Sequence, residues 1–216
     1  MKNIFIVGGN GFARECYLYL KKMMQFDESI CFGGFLGHGG YGSSVDYKNL
    51  QCYYKGEVSC YNFNDNDYVV IGAGMPEIRN KIFIELKQRK IKFFTICLGK
   101  IDKTVKIGCS NILIPDFTST CNISIGDNNV FNGFVIVGHD CIIGDSNFFG
   151  PRCLVLGGVK VGNLNTFGSN SVLMPKCKIG DKNIVSPLSV IYKGCRNDSY
   201  WCGNPAVRLG PRTHSI

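Results

Sequence analysis

The chain has 216 residues, 45% of them apolar and 19% charged, with a formal charge of +8 and a mean hydropathy close to zero. Two modest domains fit in that length, each with its own core, and no stretch approaches the ~20 consecutive apolar residues of a membrane-spanning helix. Charge is spread evenly, 13 basic against 9 acidic residues up to Lys100 and 11 against 7 beyond it, with no polybasic block, which argues against nucleic-acid binding.

Ile4-Phe5-Ile6-Val7 reads as a buried strand, too short for the core of a secretion signal before it meets Gly8-Gly9. Gly8-Gly9-Asn10-Gly11 is a tight loop, and Phe12 to Met24 a helix with Ala13, Tyr17, Leu20 and Met24 on its apolar side. A second strand, Ile30 to Leu36, ends in Gly37-His38-Gly39-Gly40. After an irregular stretch rich in Asn and Tyr come a third strand, Tyr68 to Ile71, and the loop Gly72-Ala73-Gly74. A helix from Pro76 to about Lys90 and a strand from Ile91 to Ile96 follow. Pro76 suits the first helical turn. Strands alternating with helices predict an α/β domain of Rossmann type over residues 1–99, with its boundary near Gly99-Lys100.

Gly8, Gly9 and Gly11, between a strand and a helix, offer bare backbone N–H groups and the helix dipole to a phosphate, with Arg14 nearby. The spacing is not GxGxxG, and a turn without a ligand is the plain alternative. Gly37 closes the second strand where a dinucleotide-binding domain has a ribose-binding carboxylate, which argues against a nicotinamide cofactor.

From residue 101 the rhythm changes to a period of six. Ile101, Ile107, Leu113, Ser119, Ile125, Phe131, Val137, Ile143, Phe149, Val155, Val161, Phe167, Leu173, Ile179, Val185 and Ile191 form a column broken only by Ser119. Such a period predicts a parallel β-helix, three hexads to a coil of eighteen residues, about five coils stacked at the ~4.8 Å strand spacing. Two places before each anchor stand small or medium residues, among them Asn129, Cys141, Asn147, Cys153 and Cys177, expected to face inward. A Gly follows many anchors, as at Gly126, Gly138 and Gly168, and is expected to supply the backbone angles of the corners. The twelve cysteines, without a CxxC pair, are expected to be reduced thiols of a cytoplasmic protein, with no metal. Cys202-Gly203-Asn204-Pro205-Ala206-Val207-Arg208 leaves the repeat and reads as a polar tail.

His139 is the sharpest catalytic candidate; His38 lies in a glycine-rich loop and His214 in the tail. It falls two places after anchor Val137, on a corner with its side chain outward. Eighteen residues on, Gly157-Gly158 leave space and an accessible backbone beside the ring. Asp140 adjoins it and can hold the other ring nitrogen. A base, a carboxylate and a bare amide for an oxyanion are the parts that acyl transfer needs. His139, Gly157 and Pro175 share one corner, and Pro151, Ser169 and Pro187 another, so a cleft containing both needs a second copy, which favours a cyclic homo-oligomer.

The chain resembles the left-handed β-helix sugar acyltransferases with a Rossmann-like N-terminal domain, a group that includes nucleotide-amino-sugar N-acetyltransferases and sialic-acid O-acetyltransferases. The resemblance rests on Ile6-Val7-Gly8-Gly9-Asn10-Gly11-Phe12, Ile71-Gly72 with Arg79, Gly138-His139-Asp140-Cys141-Ile142-Ile143-Gly144-Asp145, Gly157-Gly158-Val159-Lys160-Val161-Gly162 and Gly203-Asn204-Pro205-Ala206. It implies a β-helix acyltransferase domain over 100–216 and a homotrimer holding acetyl-CoA between neighbouring β-helices. It implies His139 as general base with Asp140 raising its basicity. Gly157, Ser169 and Pro187 would contact the cofactor, and Gly8, Asn10, Gly11, Phe12 and Gly72 the sugar substrate.

The activity so implied is N-acetylation of a nucleotide-linked amino sugar for a surface glycan by direct attack. O-acetylation of sialic acid or a related sugar is the alternative within the group, and a non-catalytic sugar-nucleotide-binding scaffold the alternative outside it. Two departures stand out. Gly37-His38 replaces the acidic pair that many members carry, and Phe148 stands where some have a second histidine.

Overall fold

The computed structural model describes residues 1–40, 49–98 and 101–212. Two compact units part between Ile96 and Cys97. The junction expected at Gly99-Lys100 lies outside the described residues, as does His214.

The first unit is built on a five-stranded parallel sheet of order β3-β2-β1-β4-β5. Its strands are β1 (Lys2–Val7), β2 (Ile30–Gly37), β3 (Tyr54–Glu57), β4 (Asp67–Ile71) and β5 (Lys92–Phe93). Helix α1 (Gly11–Met24) follows β1 and α2 (Pro76–Gln88) follows β4. Ile4 to Val7 are all buried, as an unbroken apolar run in a parallel sheet requires. α1 buries Ala13, Cys16 and Leu20. The expected stripe is therefore rotated, with Tyr17 and Met24 only half-buried and the Tyr17 ring 4.6 Å from that of Phe32.

Two expectations are corrected here. The segment read as irregular contains β3, an edge strand of Tyr-Lys-Gly-Glu whose glycine and short length left no periodic signal. The strand expected at Ile91 to Ile96 shrinks to β5, and Ile96–Cys97 lies outside this sheet.

The second unit is a parallel β-helix with three faces made of two-residue strands. One face stacks Lys106–Ile107, Ser124–Ile125, Ile142–Ile143, Lys160–Val161, Lys178–Ile179 and Gly194–Cys195. A second begins Ile112–Leu113, Val130–Phe131, Phe148–Phe149. The third runs Thr118–Ser119, Ile136–Val137, Leu154–Val155, Val172–Leu173 and Val190–Ile191. Each residue pairs with the one eighteen places on, as Ile136 with Leu154 and Leu154 with Val172. The anchors from Leu113 onward, Ser119 apart, are buried. Phe131, Phe149 and Phe167 stack at 4.8 Å, the spacing of adjacent strands.

The corners work differently from the expectation. None of the glycines that follow the anchors has a positive φ; that conformation belongs to the residue three after each anchor from Ile107 onward, as at Asn128 (62°), Asp140 (59°), Leu164 (59°) and Leu188 (60°). The glycines are needed because coils stack closely. A Cβ on Gly138 would lie 2.8 Å from the Gly157 nitrogen, and one on Gly168 would overlap the Pro187 nitrogen and stand 2.6 Å from its Cδ.

One corner carries an asparagine ladder. The Oδ1 of Asn111, Asn129, Asn147 and Asn165 each accepts from the backbone N–H and the amide of the next asparagine, at 2.8–3.2 Å. These side chains are buried yet satisfied by one another. The ladder stops at Asn183, whose Oδ1 has no partner. There the last coil shortens, pairing Lys178 with Gly194 and Ile184 with Tyr200, a separation of 16 instead of 18.

The expected polar tail is a β-hairpin. Ser199–Gly203 pairs with Ile184-Val185 in parallel and with Ala206–Pro211 in antiparallel fashion. The six-residue period ends at Ile191, so it gives no sign of an antiparallel strand beyond it.

Gly168→Ala is expected to lower stability by about 2 kcal/mol or more, because its neighbour is backbone that cannot give way. At Gly210 nothing lies within 4 Å of an added Cβ, so Gly210→Ala is expected to stay within about 0.5 kcal/mol. Urea midpoints of the two variants decide whether coil stacking is the reason for the glycines.

Candidate active site

The corner between the third and first faces carries His139. Its ring and the Asp140 carboxylate are 64% and 59% exposed. The left-handed backbone at Asp140, which Asp tolerates better than most residues, turns its side chain back to the preceding ring. Nδ1 of His139 lies 2.8 Å from Asp140 Oδ2. A carboxylate only accepts, so Nδ1 carries the proton, and in the neutral ring Nε2 is then the acceptor.

The backbone fixes this pair from both sides. Asp140 N–H donates to the Cys121 carbonyl at 3.1 Å, and Gly158 N–H donates to the His139 carbonyl at 2.8 Å. The Asp140 carboxyl is held below the ordinary aspartate range, first by the hydrogen bond from His139 and then by one from Asn122. Asn122, one coil earlier, was not found by sequence reasoning; the eighteen-residue period was the available signal.

Gly157 supports the ring directly. A Cβ there would lie 2.6 Å from His139 Nε2 and 2.7 Å from Cε1, so the imidazole covers the bare Cα instead of leaving open space beside it. The Gly157 carbonyl accepts from Lys176 N–H at 3.0 Å. Its own N–H donates to no other backbone group among the described residues.

Ser169 and Pro187 stack one above the other on the corner between the second and third faces, next to Gly150 and Gly168. In one copy of the chain they are separated from His139 by the third face. That face presents Ile136, Leu154, Val172 and Val190 outward, where the first face presents Lys106, Ser124, Ile142, Lys160 and Lys178. A cavity of about 640 Å³ lies elsewhere, at the C-terminal end of the β-helix among Lys178, Lys193, Arg196 and Arg208, and shares no residue with the His139 corner.

In the first unit, Gly8 and Gly72 meet at the C-terminal ends of β1 and β4. Gly72 N–H donates to the Val7 carbonyl at 2.8 Å, and a Cβ on Gly72 would press on Ala13 of α1 at 2.7 Å. Gly8 adopts a φ of 123° with the Gly72 carbonyl 3.2 Å from where its Cβ would be. The strand order reverses between β1 and β4, the crevice where parallel α/β sheets take ligands. Asn10 is the residue before α1 and uses no side-chain cap, and the first turn, with Gly11 and Phe12, holds no acidic residue. Arg79, wholly buried, donates to the Ile71 carbonyl; burial pulls its guanidinium down to about 10 and pushes the neighbouring Cys16 thiol up to about 12.

No disulfide is formed among the described residues, and burial also pushes Cys153 and Cys195 up to about 12. Among the described residues no group of three or more His, Cys, Asp or Glu side chains is arranged to hold a metal ion, and no helix is long and apolar enough to cross a membrane. Phe148 occupies an outward position on the second face, half-buried between Val130 and Thr166.

In a carbon-detected NMR titration the Asp140 carboxyl is expected below the usual aspartate range, returning toward it in His139→Ala. Because its folded-state value is depressed, the contact holding the ring persists above the ordinary aspartate value and is lost as pH falls through the lowered one. An Asp140 titration unmoved by His139→Ala contradicts the pairing.

No protein-family model and no curated protein matches the chain. Solved structures do. WeeI from Acinetobacter baumannii AYE is 22% identical, with a TM-score of 0.80 over 97% of this chain and 100% of that one. A mutant of perosamine N-acetyltransferase from Caulobacter crescentus, in complex with CoA and GDP-perosamine, is 18% identical, with a TM-score of 0.83 over 97% and 98%. The acetyltransferase domain of PglB from Neisseria gonorrhoeae FA1090, in complex with acetyl coenzyme A, is 14% identical, with a TM-score of 0.83 over 96% and 99%. Over almost its whole length, the chain has the fold of these structures.

Proposed function

We propose that this chain is an acetyl-CoA-dependent N-acetyltransferase of a nucleotide-linked amino sugar, acting in surface-glycan biosynthesis. The single observation that carries the reading is the His139–Asp140 pair laid over the bare Gly157 Cα, with Nδ1 held by the carboxylate. The likeness in fold to structures holding CoA and GDP-perosamine supports it, as does the strand order with its reversal between β1 and β4, and we read the first unit as Rossmann-like. We read the β-helix as left-handed, the domains as 1–99 and 100–216, and the protein as cytoplasmic, where both substrates are made.

His139 Nε2 accepts a proton from the sugar amine as its nitrogen forms the bond to the thioester carbonyl carbon. The carbon–sulfur bond breaks and the thiolate leaves, taking up the proton that His139 then returns. Asp140 stabilises the imidazolium formed in between. The Gly157 N–H is suited to the developing oxyanion. Gly8, Asn10, Gly11, Phe12 and Gly72 hold the sugar nucleotide, with its phosphates at the start of α1.

We read the assembly as a homotrimer. The apolar third face is flanked by the His139 corner on one side and the Ser169 and Pro187 corner on the other. Burying that face between copies brings the His139 corner of one copy to the Ser169 and Pro187 corner of the next, which gives acetyl-CoA a cleft lined by both.

Thiol release from acetyl-CoA, measured against a panel of nucleotide-linked amino sugars and free nonulosonic acids, is expected with the amine-bearing acceptors. His139→Ala is expected to reduce kcat by about 10²- to 10⁴-fold. Gly157→Ala, which displaces the ring, is expected to cost about 10²-fold with a near-unchanged melting temperature. Turnover only with hydroxyl acceptors shifts the reading to O-acetylation, and none with either, together with a silent His139→Ala, leaves a binding scaffold.

Val172→Asp on the third face is expected to convert the assembly to monomers in analytical ultracentrifugation and to abolish turnover while circular dichroism is preserved. A monomeric wild-type protein that is fully active sinks the shared cleft.

A further inference from the structure

In doubly wound sheets a carboxylate closing the second strand takes the ribose hydroxyls of a bound nucleotide. Here β2 closes on Gly37, followed by His38. His38 turns elsewhere: its side chain is 12% exposed and its Nε2 lies 2.7 Å from Glu85 Oε2.

A carboxylate nonetheless stands at the end of β2, brought by the neighbouring strand. Glu57, the last residue of β3, is the register partner of Gly37. A Cβ built on Gly37 would overlap Glu57 Oε1, lie 2.9 Å from the Glu57 carboxyl carbon and stand 3.0 Å from the Tyr54 hydroxyl. The Glu57 carboxyl group thus fills the volume that a side chain at position 37 would take. It is held there, since Gly39 N–H donates to Oε2 at 2.9 Å and the Tyr54 hydroxyl to Oε1 at 3.3 Å. A carboxylate has about four acceptor positions, so two remain for a ligand. The glycine loop is adjacent, because Gly8 N–H donates to the Leu36 carbonyl at 2.8 Å.

We propose that Glu57 is the residue that recognises the ribose of the nucleotide sugar, and that position 37 is glycine in order to admit it. The same carboxylate is supplied from β3 in place of β2. The assignment rests on the reading that a nucleotide is bound at the switch point. It specifies the ligand as a ribonucleotide whose 2′-hydroxyl donates to Glu57.

Calorimetric titration of the full-length protein with UDP, GDP and their 2′-deoxy counterparts tests this. At least one ribonucleotide is expected to bind about tenfold or more tightly than its deoxy form. Glu57→Gln is expected to lose that factor and bind both forms alike, and the exchange Gly37→Asp with Glu57→Gly to recover the preference. Equal binding of ribo and deoxy forms by the wild type, or an unaltered preference in Glu57→Gln, overturns the role of Glu57 and leaves the nucleotide reading standing. Failure of all four ligands to bind overturns both. The wild-type comparison decides the matter alone if either variant does not fold.

Discussion

Backbone stacked on backbone at one strand spacing is the constraint on which the second unit depends. Every coil lies within van der Waals reach of the next, so an added Cβ at Gly126, Gly144 or Gly162 would lie 2.7–3.0 Å from backbone of the coil above. The same closeness makes the interior repeat itself in identical rungs. Phenylalanine rings lie face to face, and asparagines satisfy each other where a corner would otherwise bury unpaired amides. Large numbers of two-residue strands are stable only because each, those at the ends of the faces apart, has a partner above and below.

That repetition also places the chemistry. A residue on a corner has fixed neighbours one coil earlier and one coil later, so His139 receives Gly157 beneath its ring and Asp140 receives Asn122. The left-handed turn residue of each hexad is a tolerated strain of about 1 kcal/mol at most positions, and at Asp140 it is put to use, since it points the carboxylate at the preceding ring. The imidazole, its carboxylate and the glycine beneath them belong to a scaffold whose coordinates are set by period and not by loop conformation.

The β-helix was legible in the sequence because its period exceeds any local ambiguity, and His139 with Asp140 followed from counting along it. The function of the glycines was not legible: a glycine at a corner signals backbone freedom, and only the stacking distance reveals that it serves to make room. Likewise Asn129, Asn147 and Asn165 were readable as inward residues of the right size, while their mutual bonding needed the eighteen-residue register. In the first unit, alternating strands and helices exposed the sheet, but β3 escaped because Tyr54-Lys55-Gly56-Glu57 carries no alternation on an edge strand. With β3 went Glu57, so Gly37 read as the loss of a carboxylate while one stands beside it on the neighbouring strand.

The hairpin at the C-terminal end has a consequence for solution behaviour. A pile of parallel coils ends in unsatisfied hydrogen-bonding groups that invite another chain to continue the pile, the route by which cross-β fibrils elongate. Folding Ala206–Pro211 back against Ser199–Gly203 reverses the strand direction at that end and puts Pro211, which has no N–H to offer, on the outermost strand. On that face a newcomer finds a mismatched template, and growth of a filament from it is discouraged.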